Sequence, residues 1–397
     1  MSLAISFTNF GPYHLARLRA LAAALAAEGR ELIAYETAGA EEKYAWNRRC
    51  DAEPFRWITL FPGRSLESIP GTECRRIMRE RLELDRPEAI AAVGYVRPEG
   101  LAMLEYARRG GLPAILMSES QEIDHPHVWW KERVKAERVR KFSSGVVGGP
   151  RHRDYLAKLG LPAERVTLGY NAIDHDHFAR GAEAARGDRR GLPERPYFVA
   201  VSRFVPEKNL LALIDAHASY AWNADPATAW DLVVCGGGPE KESLVARVSE
   251  LRMTGRIHFP GFLQVDALPR VLANASAFVH PSRSEPWGLV VNEAAACGLP
   301  LLVSDRAGAV ETFVPLDGST GRRLDPESTR AIASALAWMS ELSDSERWNM
   351  GRAAFEIGRA WGPSRFASAT LDALEIAASH LDRSRTGRRS GAARRSA

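Results

Sequence analysis

No apolar run in the 397 residues reaches the roughly 18–20 residues that a membrane-spanning helix requires. The opening MSLAISFTNFGPYHLARLRAL has no positive stretch ahead of its short apolar run, so it does not read as a signal peptide. Cysteine is scarce, and Cys50, Cys74, Cys235 and Cys297 are scattered without a CxxC pair. That spacing argues against a disulfide framework or a cysteine zinc site and for reduced thiols in a cytoplasmic protein. Neither sign of charge dominates: 53 Lys+Arg face 49 Asp+Glu, a formal charge of +4. Six arginines and no acid lie between Arg383 and Ala397, so the rest of the chain carries −2. Basicity therefore gives no case for a nucleic-acid partner.

What the chain does have is a globular balance, 45% hydrophobic and 26% charged residues, which excludes wholesale disorder. At this length two hydrophobic cores are expected instead of one. Short apolar runs alternate with helical patterns. They are Leu3–Thr8, Glu31–Ala34, Ala89–Val96, Pro113–Met117, Gly145–Gly148 and Arg165–Leu168, then Tyr197–Val201, Asp231–Val234, Arg256–Phe259, Ala277–His280 and Pro300–Val303. Between the first two, Leu15, Leu18, Leu21 and Leu25 keep one apolar helical face. Strands alternating with helices mean α/β domains, each a parallel sheet covered on both faces. The polar stretch Asp174–Arg195 reads as an interdomain linker, giving domains of 1–178 and 192–360. Helical patterns follow at Pro326–Glu341, Asp344–Arg359 and Pro363–Leu381, and the tail 383–397 is expected to be disordered. Two doubly wound domains would bring strand C-termini to a central cleft, where such folds bind ligands.

Three constellations lie just after strands. SRFVPEKN places Arg203 and Lys208 where a strand meets a helix. Such a pair can hold a diphosphate, one cation as a fork and one as a point charge. By spacing alone it reads equally as two solvated cations. VVCGGGPE brings Gly236 and Gly237 to a strand-to-helix turn, where a ligand can approach backbone amides. It lacks the GxGxxG dinucleotide fingerprint. HPSRSEPWGLVVNEAAACG carries Glu285 before a helix start and Glu293 in its second turn, with Pro286, Trp287, Gly288 and Leu289 between. Amides at a helix N-terminus suit phosphate, and ionised carboxylates accept from sugar hydroxyls. The arrangement describes a nucleotide-sugar site better than glutamates that merely complement a helix dipole.

These motifs, with FPGFL and AGAVE, resemble the donor-binding domain of retaining GT-B glycosyltransferases of the family-4 type, over about residues 195–315. The resemblance implies two Rossmann-like domains. The N-terminal one holds the acceptor, the C-terminal one holds a nucleoside-diphosphate sugar, and a C-terminal helix, here 363–381, crosses back to the first domain. It implies that Arg203 and Lys208 neutralise the diphosphate and that Glu285 holds hydroxyls of the transferred sugar. Glu293 would hold the ribose, the amides of Trp287, Gly288 and Leu289 would touch phosphate and sugar, and Phe262 and Leu263 would line the base pocket. Trp287 stands where Phe is more usual, so a shift in donor-sugar packing is expected. On the acceptor side the match is weaker. Gly11 occupies a turn where the family places one or two glycines, and His14 follows in the first helical turn. Glu119 stands where a His is common.

The expected activity is retaining transfer to a hydroxyl acceptor, glycan or lipid-linked, in surface polysaccharide, lipopolysaccharide or glycolipid synthesis. No cofactor is expected, and no metal, since two cations and a helix dipole supply positive charge. A GT-B-shaped nucleotide-sugar epimerase and a non-catalytic nucleotide-sugar-binding subunit are the rivals. The consecutive Asp174, His175, Asp176 and His177 invite a metal reading, but Asn171, Asp174 and Phe178 fit the family's domain-closing pattern. Residues of alternating direction also cannot converge on one ion. The stretch HVWWKERVKAERVRKF, with Trp129 and Trp130, reads either as a solvated charged face or as a helix on the inner face of a membrane.

Overall fold

The computed structural model describes residues 1–40, 52–124 and 128–393, with side chains to residue 383; Cys50 lies outside them. The chain divides into two compact units, residues 1–172 with 363–397, and residues 173–362.

Unit 1 holds seven strands: β1 (Ser2–Phe7), β2 (Glu31–Ala40), β3 (Arg56–Ser65), β4 (Ala89–Val93), β5 (Ala114–Ser118), β6 (Ser144–Val147) and β7 (Val166–Leu168). They pair in parallel, in the order β3-β2-β1-β4-β5-β6-β7. The helices between them are α1 (Pro12–Ala27), α2 (Gly71–Asp85), α3 (Pro98–Gly110), α4 (Trp129–Val139) and α5 (Pro150–Lys158). The leucine stripe of α1 behaves as its spacing predicts. Leu18, Leu21 and Leu25 are fully buried in one core with Ile5, Ile115 and Phe366.

Unit 2 opens with α6 (His175–Ala185), followed by β8 (Tyr197–Val201), α7 (Leu210–Asn223), β9 (Asp231–Cys235), α8 (Lys241–Glu250), β10 (Ile257–Gly261) and α9 (Leu268–Ala273). Next come β11 (Ala277–His280), α10 (Leu289–Ala296), β12 (Leu301–Ser304), α11 (Val310–Phe313), β13 (Gly321–Leu324), α12 (Thr329–Glu341) and α13 (Asp344–Arg359). Its parallel sheet runs β10-β9-β8-β11-β12-β13. Both units therefore have the Rossmann-like strand order, which reverses direction between the first strand and its neighbour on the other side. That reversal sets β8 beside β11, and their C-terminal loops are the ones carrying Lys208 and Glu285.

Four features differ from the sequence expectations. The proposed linker is largely α6, because His175, Phe178 and Ala182 are buried at helical spacing behind intervening charge. Asp174 caps this helix by accepting the His177 amide at 3.0 Å, and Asn274 fastens its end by donating to the Ala185 carbonyl at 3.0 Å. The unit boundary thus falls after Ala172 and not at 178. Strands β3 and β13 went unrecognised: both lie at sheet edges, β3 carrying the half-buried run Trp57–Phe61 before Pro62 and Gly63, which the reading passed over, and β13 reading GRRL with no apolar run. Finally, the last helix, α14 (Pro363–Ala393), runs past Leu381 into the stretch expected to be disordered. Arginine and alanine are good helix formers, and a packed segment has already met the cost of nucleation. Here Phe366, Ala373 and Leu374 pack into unit 1, and Ser144 and Thr167 donate to the Ala373 and Ala369 carbonyls at 2.6 and 2.8 Å.

Candidate functional site

In unit 2 the site is built where the β8 and β11 loops meet. After β8 the chain passes Arg203, half-buried, and makes a 3-10 turn at Pro206–Lys208. Asn209 closes that turn in the left-handed conformation, φ 58°, and is buried. Its side-chain amide donates to the Pro281 carbonyl at 3.1 Å and to the Pro326 carbonyl at 2.7 Å. The Arg283 amide donates back to the Glu207 carbonyl at 2.8 Å. Asn209 thereby fixes the Lys208 turn against the residues that follow β11.

The result is direct contact between two residues 77 positions apart: the Lys208 ammonium donates to Glu285 Oε2. Both side chains are nearly buried, 12% and 13% exposed. His280 Nε2 lies 3.0 Å from the same oxygen, and Ser282 Oγ lies 3.1 Å from that nitrogen. Burial alone would push the Glu285 carboxyl up, but the Lys208 charge and the His280 hydrogen bond outweigh it and hold it at about 2. Glu285 is therefore a carboxylate, an acceptor of hydroxyl donors, at any physiological pH.

The loop after Glu285 is fastened on its other side. The Gly308 amide donates to the Glu285 carbonyl and the Ala309 amide to the Trp287 carbonyl, each at 3.0 Å. Gly288 then turns the chain at φ +94° into α10. A Cβ there would meet Glu285 Cγ at 3.1 Å in a backbone conformation that disfavours side chains. Pro286 is exposed and Leu289 begins α10, whose Val291 amide donates to the Gly288 carbonyl at 2.9 Å; amides ahead of it belong to a helix N-terminus, where the helix itself offers no carbonyl. Glu293 is buried in the second turn of α10. Burial and the neighbouring Glu293 charge together push the Cys297 thiol up.

The Trp287 side chain packs inside unit 2, while the contact that the family likeness implied is one of its backbone amide. That side chain is 1% exposed. The indole N–H donates to Asn292 Oδ1 at 2.9 Å, and the rings of Trp361 and Phe313 lie 5.1 and 6.4 Å away. The indole is a core residue of unit 2, its large apolar area stabilised by burial.

The glycine loop after β9 divides its labour. The Gly236 amide donates to the Gly261 carbonyl at 2.9 Å, and the Gly237 carbonyl accepts from Phe204 at 2.8 Å. A Cβ on Gly236 would sit 1.8 Å from the Ser202 carbonyl oxygen, and one on Gly238 2.6 Å from that of Phe204. Only Gly237 faces open space. Gly236 and Gly238 thus let the β9 loop lie against the Arg203 loop. Beside them Phe262, 47% exposed, and half-buried Leu263 follow β10.

In unit 1 the sequence candidates also lie beyond strand ends. Gly11 has an ordinary extended conformation, φ −79°, and its amide donates to His14 Nδ1 at 3.3 Å. Half-buried His14 packs 4.6 Å from Phe7. Burial and the Arg17 charge push its pKa to about 3, so it is a neutral imidazole. Glu119, just after β5, accepts from Asn171 Nδ2 at 2.7 Å. Buried charges that escaped the sequence reading include Arg17 and Glu36. Arg17 donates to the Ala172 carbonyl at 2.8 Å and lies 5.3 Å from the Tyr170 ring. Glu36 accepts from the Phe10 amide and Thr59 hydroxyl at 2.8 Å, and from the Trp57 indole at 3.2 Å, holding the loop that leads to Gly11. Charged residues inside apolar patterns are read as surface, so pattern alone hides them. Asn209, His280 and Ser282 were missed because only the fold brings their loops together.

Residues 184–356 match the family described as Glycosyl transferases group 1. A GDP-mannose-dependent alpha-(1-6)-phosphatidylinositol monomannoside mannosyltransferase of Mycolicibacterium smegmatis is 36% identical over 173 residues, 41% of this chain and 44% of that protein. An alpha-D-kanosaminyltransferase of Streptomyces kanamyceticus is 30% identical over 222 residues, 54% and 55% of the two chains. The chain thus spans about half the length of the curated relatives it matches. Solved structures extend the likeness in fold. The sucrose-phosphate synthase of Thermosynechococcus elongatus superposes with TM-score 0.71 at 20% identity, covering 94% of this chain and 97% of that one. Anabaena Alr3699/HepE in complex with UDP and glucose does so with TM-score 0.70 at 17% identity, covering 94% and 99%. Residues 184–356 thus form a glycosyl transferases group 1 domain, and the two Rossmann-like sheets share the fold of these solved structures.

Proposed function

We propose that the protein is a retaining, metal-independent glycosyltransferase that moves a hexose from a nucleoside-diphosphate sugar to a hydroxyl acceptor. The observation that carries this reading is the buried Lys208–Glu285 pair at the β8/β11 reversal, beside the N-terminus of α10. Departure of the nucleoside diphosphate is the difficult step. Lys208, Arg203 and the first amides of α10 would meet the negative charge that develops on the leaving phosphate. Ionised Glu285 would accept from hydroxyls of the transferred sugar, and Glu293 from the ribose. Phe262 and Leu263 would cover the base, and open Gly237 would let phosphate approach the backbone. The anomeric carbon–oxygen bond breaks while the acceptor oxygen bonds on the same face, and its proton passes to the departing phosphate oxygen. No protein nucleophile is invoked. Unit 1 would hold the acceptor near Gly11, His14 and Glu119.

The relatives act on a phosphatidylinositol mannoside in one case and are named kanosaminyl- or sulfoquinovosyltransferases in others. Mannosyl or glucosyl transfer in glycolipid or surface-glycan synthesis is the reading nearest to them. A cytoplasmic enzyme docking at the inner face of a membrane fits α4, where Trp129 is 78% and Trp130 53% exposed among Lys131, Arg133 and Arg140. The test is release of GDP from GDP-mannose and of UDP from UDP-glucose, with and without glycan and lipid acceptors, with the product anomer read by NMR. Acceptor-stimulated release giving an α-linked product supports the reading. Conversion of the free nucleotide sugar without an acceptor, or an inverted product, refutes it.

A further inference from the structure

His280 ends β11 at a depth where only 2% of it is exposed, and its ring lies parallel to Phe278, 12° apart with centroids 6.0 Å away. An imidazole buried at a strand end needs a polar partner for each ring nitrogen that faces one. Nε2 faces two: Glu285 Oε2 at 3.0 Å and Ser282 Oγ at 3.1 Å. Against an ionised carboxylate a bare ring nitrogen would set lone pair against lone pair. The proton therefore belongs on Nε2, and the bond to Glu285 is donated by the histidine, with Ser282 beside it as a hydroxyl that turns to suit. Glu285 Oε2 also takes the Lys208 ammonium, so two donors from different loops converge on one oxygen. The two are not equivalent. Lys208 sits on a flexible stem and carries the charge that a diphosphate would attract. His280 is packed by Phe278 and cannot follow.

We infer that His280 is a positioning residue: it keeps the Glu285 carboxylate aimed at the transferred sugar while Lys208 turns to the diphosphate. This rests on the proposed reading of the site. If Lys208 alone held Glu285, engagement of a phosphate would release the carboxylate at the moment it is required. With His280 in place the carboxylate keeps its position and the ammonium is available. Gly288 completes the arrangement, since a Cβ there would lie 3.1 Å from Glu285 Cγ and 3.6 Å from His280 Nε2. The left-handed glycine leaves room for both.

The test compares His280→Ala, His280→Asn and His280→Gln, with Glu285→Ala as reference. A Gln amide nitrogen reaches about as far as Nε2, whereas Asn falls short. The readouts are kcat and KM for release of GDP from GDP-mannose and UDP from UDP-glucose, Kd for GDP and UDP, and the melting temperature. Misplacement of a reacting group by about 1 Å costs on the order of 10²-fold in rate. Ala and Asn should therefore lower kcat by roughly 10–100-fold with Kd for GDP and UDP unchanged, and Gln should restore most of it. Wild-type kcat in His280→Ala, beside a Glu285→Ala that has lost turnover, removes the role of His280 and leaves the transferase reading intact. Equal losses in all three variants, with weaker diphosphate binding, would make His280 a packing residue only and overturn the inference. Absence of release by the wild type, or full turnover in Glu285→Ala, overturns the donor-site reading and this inference with it.

Discussion

At the residue scale the two cations and one carboxylate would carry the proposed chemistry, and each has its own signature. If Lys208 and Arg203 meet charge that grows on the diphosphate, their loss should lower kcat more than it raises KM. Lys208→Ala and Arg203→Ala should each cost on the order of 10²–10³ in kcat, with circular dichroism showing an intact fold. Arg203→Lys should recover only part, because a point charge cannot replace a fork. Wild-type turnover in both alanine variants would move the diphosphate elsewhere. Glu285 makes a prediction about pH. Its carboxyl is held at about 2, below its ordinary 4.5, so ionisation contributes stability that is complete above about pH 4.5 and is lost as pH falls toward 2. The stability difference between wild type and Glu285→Gln should therefore shrink across that window and stay flat above about pH 5. A difference that grows on acidification would show that the carboxyl is not held down. Trp287→Phe should behave unlike a site variant. Losing the indole bond to Asn292 should cost about 1–3 kcal/mol of stability with little change in donor KM.

At the element scale, α4 shows two faces of opposite purpose. Its inner face is satisfied: Glu132 accepts from Lys135 at 2.7 Å and from the Tyr155 hydroxyl at 2.8 Å. The Glu132–Lys135 pair does not cover Trp129, Trp130 or Val134, all exposed. Amphipathic surfaces of this kind bind anionic bilayers through apolar insertion and basic side chains. Trp129→Ser with Trp130→Ser should abolish salt-sensitive co-sedimentation with vesicles rich in phosphatidylglycerol and leave soluble-acceptor turnover unchanged. Undiminished co-sedimentation of that double variant would return α4 to the role of a solvated face. Removing residues 383–397 in the same assay separates the six tail arginines from α4, each worth about 1 kcal/mol near an anionic surface.

At the scale of the whole molecule, ligand linkage is the simplest probe of the site. A nucleoside diphosphate at 100 times its Kd should raise stability by about 2.7 kcal/mol, and EDTA should alter neither that shift nor turnover. Turnover lost in EDTA and restored by Mg²⁺ or Mn²⁺ would refute the metal-independent reading. The sequence determined the alternation of strand and helix, hence the α/β class, because buried parallel strands must be apolar throughout and leave an unmistakable run. It also placed Arg203, Lys208 and Glu285 in loops after strands and Glu293 in the helix that follows, the positions on which the donor-site proposal rests. It could not show β13, an edge strand reading GRRL, whereas β3 was legible in Trp57–Phe61 and was passed over. It could not show α6, whose buried His175, Phe178 and Ala182 stand among acids and arginines. Nor could it show that Trp287 turns inward, or that His280, Ser282 and Asn209 support the site. Those assignments depend on which loops meet, and that is decided by the reversal in strand order that brings the end of β8 to the end of β11. A local pattern records what each residue prefers. Only the assembled sheet fixes which distant side chain is there to satisfy it.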